Sequence, residues 1–157
     1  DFTGTDVATA QPVFGTTQDA VLLKATRNYR FKAVYNITRA AGAVSHTTGV
    51  LFGGTATFIN VDGIAKVSNP TGNILSAVSQ ISFAVATETV ITAANTSTTE
   101  NVRVELEGII RTNAAGTLIP QFKYSAAPGG APTVKRGSFF EIWPIGEGGQ
   151  SWTGDWS

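Results

Sequence analysis

Three features of this sequence predict an all-β fold, an antiparallel two-sheet β-sandwich of jelly-roll type. Apolar and polar residues alternate with period two along several stretches, most clearly Asn28–Arg39 and Glu100–Ala127. Turn-forming clusters separate these stretches at short, even intervals. No segment carries a convincing long helical face. A length of 157 residues suits one domain with a substantial core. That domain is expected to span 1–157, with a lead-in at 1–17 and a tryptophan-containing tail at 147–157.

In chain order, the lead-in places one short strand near Pro12–Phe14, and Asp19–Ala25 is a second short apolar run. Along Asn28–Arg39, Tyr29, Phe31, Ala33, Tyr35 and Ile37 share one face, while Arg30, Lys32, Asn36 and Thr38 share the other. Thr47–Phe52 is a strand ended by Gly53-Gly54. Ala56–Ser68 alternates less cleanly, with Asp62-Gly63 as a bulge or a turn. Asn73–Ala86 fits a helical face in part, yet its β-branched content favours a strand from about Ser79. Glu88–Ala94 is another strand. Pro128–Pro132 is a loop that is not expected in a central strand, and Ser138–Ile145 is the last strand.

Glu100–Ala127 reads as one long β-hairpin. Val102, Val104, Leu106, Gly108 and Ile110 alternate with Arg103, Glu105, Glu107, Ile109 and Arg111 in the first arm, as Leu118, Pro120, Phe122 and Tyr124 do with Ile119, Gln121, Lys123 and Ser125 in the second. A three-residue loop, Ala114–Gly116, with Gly116 left-handed, sets Leu106 against Tyr124, Gly108 against Phe122 and Glu107 against Lys123. A four-residue loop would mix the faces. In the three-residue register Ile109 and Ile119 sit diagonally on the otherwise polar face. They are candidate subunit contacts, the alternative being a second core layer or ordinary exposure. Trp152 and Trp156 are two more, since a tail with two tryptophans is expected to dock on this protein or a neighbour.

Composition narrows the function classes. Eleven basic residues balance eleven acidic ones and the longest basic run is Lys135-Arg136, which argues against nucleic-acid binding through phosphates. Charged residues are only 14 %, with Thr, Ser, Ala and Gly in their place. Such a surface suits an extracellular or virion protein packed against copies of itself. The absence of cysteine removes a disulfide framework and a thiolate nucleophile. The absence of methionine and the start at Asp1 read as a processed product or a fragment. No apolar span of membrane-crossing length is present, so no membrane insertion is expected.

Little in the residues themselves suggests chemistry. His46 is the sole histidine and reads as structural or surface, since no motif supplies a nucleophile and an orienting carboxylate. Glu105 and Glu107, two apart on one strand face, have the arrangement that glycan-cleaving enzymes can use. The plainer reading pairs them with Arg103, Arg111 and Lys123. No catalytic residue, cofactor or metal ligand is assigned; Asn60-Val61-Asp62-Gly63 is too sparse for calcium.

The stretch 87–130, TETVITAANTSTTENVRVELEGIIRTNAAGTLIPQFKYSAAPGG, with PTVKRGSFFEIWPIG after it, resembles a recurrent domain of bacteriophage virion proteins of tail or fibre type. Tyr29-Arg30-Phe31, Ser45-His46-Thr47 and 51–57 fit the same pattern. In architecture such domains are similar to trimeric jelly rolls of the C1q/TNF type. The resemblance implies a non-enzymatic virion structural protein, a homotrimer bound to other virion proteins. It would display loops for attachment to a host-surface glycan or protein. The candidate loops are Ala40–Thr47, Asn69–Asn73, Asn95–Thr99 and Pro128–Thr133. A capsid decoration (cement) protein is the alternative.

Overall fold

The computed structural model describes residues 1–16, 20–40, 42–69, 74–82 and 87–145, with only the strand path given for 69 and 74–82. Trp152 and Trp156 lie outside the described residues, as do 83–86 of the stretch expected to be a strand. The described chain forms twelve β-strands: β1 (Phe2–Thr3), β2 (Gln11–Pro12), β3 (Val21–Leu23), β4 (Asn28–Ala40), β5 (Thr48–Gly53), β6 (Thr57–Asn69), β7 (Ile74–Ser82), β8 (Thr89–Val90), β9 (Thr99–Ala114), β10 (Gly116–Tyr124), β11 (Pro132–Val134) and β12 (Phe139–Ile145). They form two antiparallel sheets packed face to face, a β-sandwich. The seven-stranded sheet runs β1-β11-β4-β9-β6-β7, with β12 beside β4, and the five-stranded sheet runs β2-β10-β5-β8, with β3 beside β10.

Both sheets send the apolar half of each alternation into one core. Tyr29, Phe31, Ala33, Tyr35 and Ile37 of β4 are buried, as expected, and so are Val102, Val104, Leu106 and Ile110 of β9. Leu118, Phe122 and Tyr124 of β10, with Val50 and Phe52 of β5, close the core from the other side. Phe31, Phe52 and Phe140 pack across the two sheets, with ring centroids 5.3 to 6.1 Å apart. Each such buried side chain contributes about 1.5–3 kcal/mol relative to exposure.

The expected hairpin is not formed. β9 pairs with β4 and β6, whereas β10 pairs with β5, β2 and β3. The chain therefore crosses from one sheet to the other at 114–116 as an arch. The two arms meet through the core and not through a hydrogen-bonded ladder. Gly108 is opposite Phe31 and Gly63, not Phe122. Glu107 lies between Lys32 and Ile64, while Lys123 pairs with Glu88 at 3.1 Å on the other sheet. Gly116 is not left-handed; a Cβ there would come within 2.4 Å of the Ala56 nitrogen, so glycine permits close approach.

Other expectations are corrected in detail. The lead-in supplies two paired strands, β1 and β2, because its ends reach strand edges at β11 and β10. Asp19–Ala25 and Glu88–Ala94 shorten to β3 and β8, limited by what their partners can pair. Pro132 begins β11, between β1 and β4, at the first-residue position where a missing N–H is tolerated. Register is continuous through Asp62 and Gly63; the irregularities of β6 fall near Phe58 and between Ala65 and Val67. β7 already begins at Ile74, which pairs with Asn69 of β6.

Gly63 and Gly108 face each other in adjacent strands. A Cβ on Gly108 would lie 2.1 Å from the Asp62 carbonyl oxygen and 2.8 Å from Phe31 Cε1. Backbone cannot yield cheaply there. Gly108→Ala is expected to destabilise the domain by about 1–3 kcal/mol through overpacking. A lowered midpoint in urea unfolding with unchanged slope would bear this out; an unchanged midpoint would refute it.

Candidate functional site

Two places on the sandwich have the chemistry of a site. The first is one end of it. Strand direction puts the β4–β5, β8–β9 and β10–β11 connections at that end, together with the chain ends flanking 70–73. Three of the four candidate loops thus gather at one end of the molecule, while 70–73 of the fourth lie outside the described residues. His46 and Asn95 exchange backbone hydrogen bonds of 3.1 and 3.0 Å. Gly42, at φ +81°, lies against Gly129 so closely that a Cβ would be 2.4 Å from the Gly129 carbonyl carbon. Gly129 N donates to Asp6 Oδ1 at 3.0 Å.

Beneath these loops sits a buried polar knot. The period-two phase that buries Ile37 and Val102 also turns Arg39 and Glu100 inward, and the two are direct partners in the β4–β9 ladder. Arg39 Nε donates to Glu100 Oε2 at 3.1 Å, and its Nη2 donates to the Ser97 carbonyl at 2.5 Å. Asn95 Nδ2 donates to Glu100 Oε1 at 2.8 Å. His46 Nε2 is 2.9 Å from Glu100 Oε2, and its Nδ1 is 2.7 Å from the Val44 carbonyl oxygen. A carbonyl only accepts, and so does an ionised carboxylate. Each ring nitrogen of His46 therefore faces an acceptor oxygen. The ring packs edge-on against Tyr124, with centroids 5.2 Å apart.

Burial by itself raises a carboxyl pKa. At Glu100 the hydrogen bonds from Asn95, His46 and Arg39, with the charge of His46, outweigh burial and hold the group below the ordinary carboxylate range. Burial first, then the nearby Glu100 charge, pushes the Tyr124 hydroxyl well above its usual value. His46 is thus buried, which rules out the surface position that the sequence left open beside a structural one. Arg39 and Glu100 were missed there, although extending the strand alternation one step at each end would have found them.

The second place is the solvent face of the seven-stranded sheet. Trp143, Arg30, Ile109 and Asp62 are successive register partners across β12, β4, β9 and β6. With Glu107 they line an open groove of about 640 Å³. Arg30 Cζ is 5.9 Å from the centre of the Trp143 ring. Ile109 is 50 % exposed here, but Ile119 lies on the other sheet, opposite Gly53. The arch separates them, so they form no common patch. On the same solvent face Glu105 pairs with Arg103 at 3.0 Å, both half-exposed. Such a pair contributes about 0–1 kcal/mol. Among the described residues no group of His, Asp and Glu is arranged to hold a metal ion.

Fold and sites together define an antiparallel β-sandwich with a locked loop end and an open sheet groove. The chain matches no protein-family model, no curated protein and no solved structure.

Glu100 gives this end of the domain an acid limit. Its folded-state pKa lies below its unfolded one, so the stabilisation is present above the ordinary carboxylate range and is lost as pH falls through the folded value. Glu100→Gln is expected to lower stability by about 3–5 kcal/mol near neutrality, because Arg39 and His46 are left buried without their counter-charge. The slope of stability against pH in acid should also flatten in the variant. Denaturant titrations at a series of pH values measure both; an unchanged acid slope would show that other carboxyls set the limit.

Proposed function

We propose that this chain is a non-enzymatic structural domain of a bacteriophage virion, of fibre or tail type, which assembles as a homotrimer and presents its loop end for attachment to the host surface. The sequence resemblance over 87–130 and 132–146 supports the family of the reading. The observation that carries the attachment part is the loop end itself, where the β4–β5 and β8–β9 connections are held on one buried ionic knot and the β10–β11 connection packs on the first of them through Gly129 and Gly42. Loops anchored in this way lose little conformational freedom on binding. Three copies on one base would multiply weak individual affinities.

A capsid decoration protein is the second reading. Leu22, 81 % exposed on the edge strand β3, favours it, since an apolar edge is suited to burial against another virion protein.

The labelled domain, mixed separately with cells of the phage's bacterial host and with particles stripped of it, separates the two readings. Attachment predicts saturable binding to cells that competes with infection and weakens in Val44→Glu or Ala131→Glu, both at exposed loop positions. Binding confined to stripped particles and lost in Leu22→Asp would replace attachment with decoration.

A further inference from the structure

We propose that the groove on the seven-stranded sheet is a binding site for a neutral oligosaccharide, distinct from the loop end and independent of the attachment reading. At about 640 Å³ it is of ligand size. Its wall is a straight row of side chains from four hydrogen-bonded strands, Trp143, Arg30, Ile109 and Asp62. Three strand spacings of ~4.8 Å make the row about 14 Å long, room for a short chain of sugar rings.

The chemistry along the row alternates in the way a pyranose does. A sugar ring has an apolar C–H face and an edge of hydroxyls. Trp143 and Ile109, 39 % and 50 % exposed, offer apolar surface; the negative face of an indole attracts polarised C–H groups. Between and beside them stand a guanidinium donor, Arg30, and two carboxylate acceptors, Asp62 and Glu107. Charged partners make the stronger hydrogen bonds to hydroxyls. Asp62 is further fixed by a hydrogen bond from the Asn60 amide.

The same residues exclude other ligands. Two carboxylates against one guanidinium, itself engaged with Trp143, disfavour phosphate, nucleic acid and acidic sugars. A lipid chain would leave three charged groups to be desolvated. Neutral hexose or N-acetylhexosamine chains meet neither obstacle.

The intact chain is applied to an array of neutral glucose-, galactose-, mannose- and N-acetylglucosamine-terminated oligosaccharides beside sialylated and uronate-containing ones. The tightest binder is then titrated against the isotope-labelled protein by NMR. Expected are selective retention of neutral sugars and shifts confined to Gly63, Gly108, Ile109 and the Trp143 indole. Affinity should fall about tenfold or more in Trp143→Ala and in Asp62→Asn, and recover in part in Trp143→Phe. All are surface positions, so thermal unfolding should be unchanged; a variant that has lost its fold is replaced by Ile109→Ser, which must weaken binding likewise. No neutral sugar shifting these resonances, preference for acidic sugars, or affinity indifferent to Trp143 would overturn the proposal. So would shifts of the same resonances on protein dilution alone, which would make the face an interface between copies. Cell attachment that survives Trp143→Ala leaves the loop-end reading standing whatever the sugars do.

Discussion

The rest of the molecule depends on the ladder between β4 and β9. It runs without a break from Asn28 opposite Arg111 to Ala40 opposite Thr99. Every other strand of the large sheet is placed from it, β11 and β12 on the free edge of β4 and β6 on the far side of β9. One parity of the ladder supplies most of that sheet's half of the core. The other parity supplies the solvent face with its groove. Because side chains alternate strictly, a slip of one residue would exchange the two sets, putting Arg103, Glu105 and Glu107 into the core. Burial of Phe31, Tyr35, Val104 and Leu106 therefore fixes the geometry of the groove as firmly as it fixes the core.

The ladder ends in a charge pair on its buried side, and there the logic changes. Arg39 and Glu100 follow the apolar parity into a place without water, where a carboxylate and a guanidinium are costly to bury. The cost is offset only because the remaining hydrogen-bonding positions are filled, by Asn95, His46 and the Ser97 carbonyl. Arg39 and Glu100 belong to the large sheet and His46 leads into β5 of the small one. The knot therefore clamps the sheets together where the apolar core gives out. Buried ion pairs contribute more to uniqueness than to net stability in the cases where such a role is established, and a loop cluster needs uniqueness. Gly42 against Gly129 completes the clamp by letting two loop backbones touch.

Much of this was legible in the sequence. The alternation along Asn28–Arg39, Thr47–Phe52 and Ser138–Ile145 located three strands within a residue or so, and the sandwich followed from them. The arch was not legible. A period-two pattern on both arms states only that each arm has one buried face. In a hairpin those faces lie side by side, and in an arch they oppose each other across the core; the residue pattern is the same. Opposite charges at Glu107 and Lys123 favoured the hairpin, but each has an opposite charge beside it within its own sheet, Lys32 opposite Glu107 in the ladder and Glu88 paired with Lys123. The error then carried over to Ile109 and Ile119, which a hairpin makes neighbours and an arch puts on opposite sides of the sandwich. The groove was hidden for a related reason, since Trp143, Arg30, Ile109 and Asp62 come from four strands and only register brings them together.

The two surfaces differ in how they are held, and this bears on what each can do. The loop end depends on a few polar contacts around one carboxylate, so its shape is sensitive to any change in that charge. The groove depends on backbone ladders across four strands, and the paired glycines Gly63 and Gly108 bring β6 and β9 close beneath it with Phe31 packed against them. A surface of the first kind can change its loop residues freely above a fixed base, as recognition of a varying partner requires. A surface of the second kind keeps its spacing whatever happens at the loops, as a repeating ligand with a fixed ring-to-ring distance requires. Substitutions at exposed loop positions should therefore leave the groove intact, whereas overpacking at Gly108 should disturb the groove before it reaches the loops.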